Sequence, residues 1–422
     1  MTRSRPRVRR LHLPVLLTAT ALLAAACGGG SSFESGDNDA DGASSGDGPV
    51  TLRVLIASSG DAETNAVTAA VEAYETDSGN TVDVKLSDDI ATDLTKTFAT
   101  ADPYDAMYVE AGTFATWASQ DALFPYAEDA EAAPDVYPSL RETFSYDGQF
   151  YCLPKDFSTL GLVINQGMWA EAGLTEDDYP TNWDELAAVA DQLTTDDHVG
   201  LALSPTRDRV GAFMVQAGGW LVSDDGTEAT VDSEENVEAL TYLQGLMKDG
   251  AAAWSSDLDS EWGGAAFGEG KAAMTMEGGW ITGAMDDYPD IDWTVAPMPA
   301  GPAGDGTLLF SVCWGVAQKS DAQVQAVEFI ESIVTPQQQL ANAEAFGVTP
   351  ALESVEQEYA DQSPVNAAFI SGAENAQGPV SLPGFADVLA DFDSQLAGLE
   401  DADPAEILGS VQQNAQAAIE DQ

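Results

Sequence analysis

The 422-residue chain carries 71 acidic side chains against 15 basic ones, a formal net charge of −56, and 44% of its residues are apolar. A surface this acidic repels nucleic acid and anionic lipid headgroups and disfavours anionic ligands, while solubility in a salty medium accounts for the excess itself. Only His12 and His198 are histidines, and no GxSxG, HExxH, CxxC or GxxxxGK[ST] run occurs, which sets aside histidine-based nucleophiles, zinc hydrolysis, thiol redox chemistry and nucleotide hydrolysis.

The first ten residues hold Arg3, Arg5, Arg7, Arg9 and Arg10, and an apolar stretch over 11–26 runs into Ala24-Ala25-Ala26-Cys27. The pattern reads as a secretory signal, too short to span a bilayer in the folded protein. Small residues leading into a cysteine resemble the bacterial lipobox, in which the cysteine takes a diacylglyceryl group and becomes the first residue after cleavage. Leu23 stands four residues ahead of Cys27 where three is usual. The expectation is a lipoprotein signal peptide at 1–26 and lipidation of Cys27, the alternative being an ordinary signal with a spare thiol.

Removing 1–26 takes away five basic residues, His12 and no acidic residue, and leaves enough chain for two domains. Residues 27–49 are rich in Gly, Ser and Asp, have almost nothing to bury, and read as a flexible tether. Within it DNDADG at 37–42 begins like an EF-hand loop. Gly48 stands at the twelfth position, where a bidentate Glu is needed, so the segment reads as acidic linker and no metal is expected.

From residue 50 onward strand and helix patterns alternate. VTLRVLIA at 50–57 is a strand, followed by a helix with Val67, Ala70, Val71 and Tyr74 on one face; 82–86 is a strand, 89–100 a helix and 104–109 a strand. Such alternation predicts largely parallel sheets with helices on their faces. The segment YCLPKDFSTLGLVINQGMW at 151–169 sets Lys155 and Asp156 before an apolar strand at 160–164. Asn182 with Glu185 caps a helix carrying Leu186, Val189 and Leu193, and a further helix over 233–248 buries Val237, Leu240, Leu243 and Met247. AAMTME at 272–277 is a strand, with a helix from Gly279 and another strand in WTVAPMP. After the strand LLFSVCWGVA, Ser320 with Gln323 and Thr335-Pro336 with Gln338 signal two helix starts, and Phe385, Leu389, Phe392 and Leu396 form one face of a last helical region. No internal repeat is visible.

The order of segments resembles the sugar-binding family of extracellular solute-binding proteins that serve ABC importers, the family that includes maltose-binding protein. The resemblance runs from Val50 onward and rests on eight pieces in order: FATADPYDAMYV; GQFYCLP with LGLVINQGMWAEAGL; NWDEL; QAGGWLVSDDGTEATVDSEENVEAL; GEGKAAMTMEGGW; PMPAGPAG; SVCWGVAQKS with AVEFIESIVTPQQQ; and FGVTPA. It implies an α/β fold of two lobes (type II periplasmic-binding-protein-like), each with a mostly parallel sheet flanked by helices and a ligand cleft between them. The expected N-terminal lobe is 50–153 with 312–350, and the C-terminal lobe 158–310 with 351–422. The resemblance also implies a monomer that closes on a carbohydrate by hinge motion, presents it to ABC permease subunits, and is held by its lipid to the outer face of the cytoplasmic membrane. It calls for no catalytic residue and no cofactor.

A sugar presents hydroxyls and apolar C–H faces, so its site needs acceptor carboxylates, donors and flat aromatic plates. By position in the family pattern, Asp156 suits the acceptor role and Lys155 the donor role, with a surface ion pair as the alternative. Trp280 and Trp314 fall where stacking aromatics or cleft walls are common, and Glu277, three residues before Trp280, suits a hydroxyl acceptor. Trp254 and Trp220 are further candidates from the second lobe, core packing being the alternative for each tryptophan. Ser59, Asp61 and Glu110 follow the first and third strands, at carboxyl ends where open α/β sheets bind ligands. For Asp61 the alternative is a helix cap.

With Cys27 lipidated, Cys152 and Cys313 form an even pair in an exported chain, which favours a disulfide. By the resemblance both fall on strands entering or leaving the first lobe at the hinge, and two buried free thiols are the alternative. The leading function is sugar capture for import, with a di- or oligosaccharide suggested by PKDFSTL, while Arg207 and Arg209 leave an anionic ligand open. Competing functions are a secreted carbohydrate-active enzyme using Glu277, Glu110 and Asp156, and an adhesion or sensor protein on the same fold.

Overall fold

Two sheets, joined where strands cross between them, organise the chain. The computed structural model describes residues 49–57, 60–223, 225–362 and 364–420. In chain order the strands are β1 (Thr51–Ile56), β2 (Thr81–Leu86), β3 (Ala106–Glu110), the hairpin β4 (Ser145–Tyr146) and β5 (Gln149–Phe150), β6 (Leu153–Thr159), β7 (Gly161–Asn165), β8 (Val199–Leu203), β9 (Ala252–Trp254), β10 (Ala272–Glu277), β11 (Trp293–Ala296), β12 (Thr307–Val316) and β13 (Ala376–Gln377).

The first sheet runs β13-β12-β3-β1-β2, with β6 also paired to β12, and the second runs β11-β7-β10-β8-β9. Each is parallel on one side, β1 with β2 and β3, and β8 with β9 and β10. Each turns antiparallel on the other side, at β12 with β3 and β6, and at β7 with β10 and β11. The physical reason is direction: β6 and β12 carry the chain between lobes and back, so they meet running opposite ways, whereas βαβ crossovers return the chain parallel.

Strands covered on both faces read as continuous apolar runs, and Val54, Leu55 and Ile56 of β1 and all of β10 are buried accordingly. One core joins β1 and β3 to Phe114, Leu153, Trp314 and Phe329; a second joins Leu162, Leu201, Phe213, Leu243 and Met274 to the C-terminal helices through Phe392 and Leu408. Helices 386–396 and 404–420 thus pack in the second core. The boundary at 350 is less sharp than expected, because Ala351, Leu352, Val355 and Ala373 pack in the first core and β13 pairs with Thr307 and Leu308 of β12.

Local signals act mostly as their chemistry dictates. Asn182 accepts from the Glu185 amide at 3.0 Å, and Thr335 accepts from the Gln338 amide at 3.2 Å with Pro336 in the first turn. Ser320 departs from expectation: its hydroxyl bonds Asp105 and the Ala322 amide, so the helix Gln323–Ile333 starts later and without a capping box. The helix Pro336–Phe346 ends on Gly347 at φ 75°, a left-handed cap that leaves Phe346 at the cleft.

Candidate functional site

A cavity of about 1000 Å³ is lined by both lobes: Gly60, Asp61, Glu63 and Glu110 from the first, Arg207, Asp208, Trp220, Trp262 and Trp280 from the second, and Lys155, Asp156 and Phe310 from the crossing strands. That volume lies at the upper end of small-ligand sites.

Its floor is built by an irregularity in β6. Val312 pairs with Asp156 and Cys313 with Pro154, so Lys155 is the extra residue of a bulge. Successive side chains on a regular strand point to opposite faces; the bulge lets neighbours Lys155 and Asp156 meet as an ion pair. The carbonyl of Lys155 accepts from Gln339 Nε2 at 2.9 Å, and the carbonyl of Asp156 accepts from Ser311 Oγ at 2.7 Å. The bulge is therefore satisfied as well as bent.

Lys155 Nζ also lies 3.0 Å from Glu63 Oε1, which accepts from Tyr108 Oη at 3.0 Å, and it faces the rings of Tyr108 at 5.3 Å and Phe346 at 5.4 Å. Burial opposes the ammonium, but Asp156 and Glu63 outweigh it and hold the Lys155 pKa above its ordinary value. Burial pushes the Asp156 carboxyl up, with Glu63 adding and Lys155 opposing, and it drives the Tyr108 phenol well up. Among the described residues, Asp156 and Glu63 both pair with the Lys155 ammonium.

Beside the bulge, Cys152 and Cys313 are joined as a disulfide with Cα atoms 5.6 Å apart, both buried. Pro154 offers no amide to the ladder and the bulge removes a further pairing, so the covalent link ties β6 to β12 where their hydrogen bonding is weakest.

The opposite wall carries Trp280, 36% exposed. Its Nε1 donates to Glu277 Oε2 at 2.9 Å, the Arg209 guanidinium lies over the ring at 5.2 Å, and Phe310 meets it edge-on at 5.1 Å. A Cβ on Gly278 would come within 2.3 Å of the indole, so only glycine lets the ring fold back against the chain there.

Of the residues singled out from the sequence, Asp61, Glu110, Lys155, Asp156, Trp220 and Trp280 line the cavity together. Asp61 sits in the first helical turn without a capping bond, and Gly60 takes the cap position. Glu110 is exposed at the end of β3, its carboxyl held up by desolvation and by Asp89. Glu277 is fully buried, ion-paired with Arg209, its carboxyl raised by burial against the opposing pull of Arg209, Trp280 and the Gly264 amide. It stands behind the wall and not at the rim.

Trp314 is buried against Tyr108 and Phe329, and Trp254 is buried in the second core; neither lines the cavity. Alternation along β12 and β9 turns those indoles inward. Ser59 and Cys27 lie outside the described residues, as does the DNDADG segment. Glu63, Tyr108, Trp262, Phe310 and Phe346 escaped the sequence reading. Two had a signal: Glu63 lies in the first turn after β1, and Phe346 immediately precedes a capping glycine.

Among known proteins, the diacetylchitobiose binding protein DasA of Streptomyces coelicolor is 25% identical over 374 residues, 82% of this chain and 83% of the relative. The lactose-binding protein of Rhizobium radiobacter is 24% identical over 200 residues, 46% of this chain and 47% of the relative, so that match spans less than half its length. Among solved structures, an ABC substrate-binding protein from Listeria monocytogenes in complex with cycloalternan superposes with a TM-score of 0.78 at 23% identity, covering 88% of this chain and 99% of that one. The cyclic alpha-maltosyl-1,6-maltose binding protein from Arthrobacter globiformis gives 0.77 at 22% identity, covering 89% and 100%. At such identities the likeness establishes the shared two-lobed fold. Residues 69–369, which span most of both sheets and the cleft between them, match the bacterial extracellular solute-binding protein family, and the chain belongs to that family.

Proposed function

We propose that the protein is the substrate-binding component of an ABC importer that captures a di- or oligosaccharide in the cleft, closes on it by hinge motion, and delivers it to the permease. The observation that carries this reading is the pairing of an exposed indole, Trp280, with carboxylates and buried donors across a cavity of about 1000 Å³. Aromatic faces take the C–H surfaces of a pyranose, and Asp61, Glu110 and Asp156 offer acceptors for its hydroxyls. The relatives named for diacetylchitobiose and lactose, and the fold shared with a protein solved with cycloalternan and one named for cyclic alpha-maltosyl-1,6-maltose, support a carbohydrate of more than one ring.

Binding without chemistry is part of the proposal. Of the three carboxylates named for an enzyme, Glu277 is spent on Arg209 and Trp280 behind the wall, apart from Glu110 and Asp156, which line the cavity. Attachment through Cys27 to the outer face of the cytoplasmic membrane is also part of it, supported by the run Ala24-Ala25-Ala26-Cys27 after an Arg-rich start. A monomer is the expected state. A thermal-shift screen over maltose, maltotetraose, lactose and diacetylchitobiose tests the reading: a ligand at a hundred times its Kd adds about 2.7 kcal/mol of stability. Shifts with peptides or polyamines and none with any sugar would overturn the substrate class.

A further inference from the structure

Directly behind the exposed face of Trp280 stands a buried pair of opposite charges. Arg209 Nη2 and Trp280 Nε1 both donate to the same oxygen, Glu277 Oε2, while Arg209 Nη1 donates to the Asp208 carbonyl at 3.0 Å. Glu277 comes from the end of β10 and Arg209 from the first turn of the helix Arg207–Ala217. Two elements 68 residues apart therefore converge on one indole.

A buried ion pair is a poor source of fold stability, because apolar residues of the same volume often serve as well. Its position behind the cleft wall gives it another use. With its N–H consumed by Glu277, Trp280 offers a ligand no donor; with the guanidinium over one face and Phe310 edge-on, the indole is held as a plate that cannot swing.

We propose that Glu277 and Arg209 are positioning residues that lock Trp280 as a donor-free plate, so that the ligand part seated there must present an apolar C–H face and not a hydrogen-bond acceptor. The inference rests on the reading that Trp280 meets a sugar. It adds a specificity rule to that site: an acceptor group aimed at the indole finds its N–H already taken.

The test is a double-mutant cycle read by calorimetry with the tightest binder among maltose, maltotetraose, lactose and diacetylchitobiose. Replacing the pair with apolar residues, Arg209→Met with Glu277→Leu, should weaken binding about tenfold in the otherwise native protein and less than about twofold in a Trp280→Phe background, since a positioning effect vanishes with the group positioned. Glu277→Gln provides a second, shape-conserving variant if the pair replacement folds poorly, with the same non-additivity expected. Without ligand, the indole N–H of Trp280, assigned by its loss in Trp280→Phe, should exchange faster with solvent in the pair variant. Equal losses in both backgrounds, or no loss in either while Trp280→Ala weakens binding, overturn the positioning role. Full affinity in Trp280→Ala, or no binding of any of the four sugars, instead overturns the reading beneath it.

Discussion

Lys155 Nζ lies 3.0 Å from Glu63 Oε1, which ties the crossover strand to the first helix of the N-terminal lobe at the floor of the cleft. The contact joins residues 92 positions apart by their numbers in the chain and leaves both side chains almost wholly buried. Removing the cation would leave the buried Asp156 carboxylate without its charge partner. Lys155→Met should therefore cost about 3–5 kcal/mol of stability, read by urea denaturation, with Lys155→Arg costing less. A loss under about 1 kcal/mol would return the pair to the status of a surface ion pair.

Stability should rise on mild acidification. Burial raises the folded pKa values of Asp156, Glu277 and Asp393, so between the unfolded values near 4 and those raised values the folded state binds more protons than the unfolded one. Lowering the pH through that window stabilises the fold. Asp93, pulled to about 2 by Lys96, Ser87 and Lys85, and Asp89, lowered by its bonds to Thr92, act in the opposite sense: their contributions are present above about 4 and lost only below it. Thermal unfolding at constant ionic strength should show Tm rising as the pH is lowered toward about 4, then falling below it. A Tm that only falls as the pH is lowered from neutral to about 4 contradicts this balance.

The disulfide closes a loop with a sequence separation of 161 residues. On the chain-entropy account, its removal in Cys152→Ala with Cys313→Ala should cost about 5 kcal/mol. Alkylation of the denatured, unreduced protein should modify neither cysteine, and both after reduction. Two reactive thiols before reduction would disprove the bond.

Tryptophans of the two kinds should separate cleanly. Trp314→Ala and Trp254→Ala remove buried indoles and should each cost about 3–5 kcal/mol while leaving ligand affinity within about twofold in protein that folds. Trp280→Ala removes a partly exposed ring that also donates to buried Glu277, so it should cost about 1–3 kcal/mol of stability while sugar affinity falls tenfold or more, about 1.4 kcal/mol. Loss of affinity on replacing Trp314 would mean that the core of the first lobe reaches the ligand.

Asp156 carries the remaining test of the cleft floor. Asp156 lines the cavity, and among the described residues its carboxylate shares Lys155 with Glu63. Asp156→Asn keeps the shape and removes half of the acceptor capacity, and should weaken sugar binding about tenfold. Unchanged affinity would confine Asp156 to holding Lys155.

Much of the frame was legible in the sequence because it depends on local and periodic signals. The runs at 51–56 and 272–277, the stripe Val237, Leu240, Leu243, Met247, and the caps Asn182 and Thr335 each declare an element by their own spacing. The segment at 151–169 showed two charges at the mouth of an apolar strand, and the resemblance to the solute-binding family implied that it crosses between lobes. The bulge that aims those charges did not show, since it arises from the register between β6 and a strand more than 150 residues later.

What only the tertiary structure decided is which polar and aromatic groups face the cleft. Glu277 and Asp156 look alike in sequence, each a carboxylate on a buried strand, yet one is consumed by Arg209 and Trp280 while the other opens onto the cleft. Trp254, Trp280 and Trp314 likewise differ only in which side of an element meets solvent. The sequence by itself determined the alternating strands and helices and the kinds of side chain available, because apolar periodicity and capping act over a few residues, while the two lobes followed only from its resemblance to a known family. The division of those side chains between fold and cleft followed from partners brought together across long stretches of chain, where burial and charge pairing decide which groups stay free.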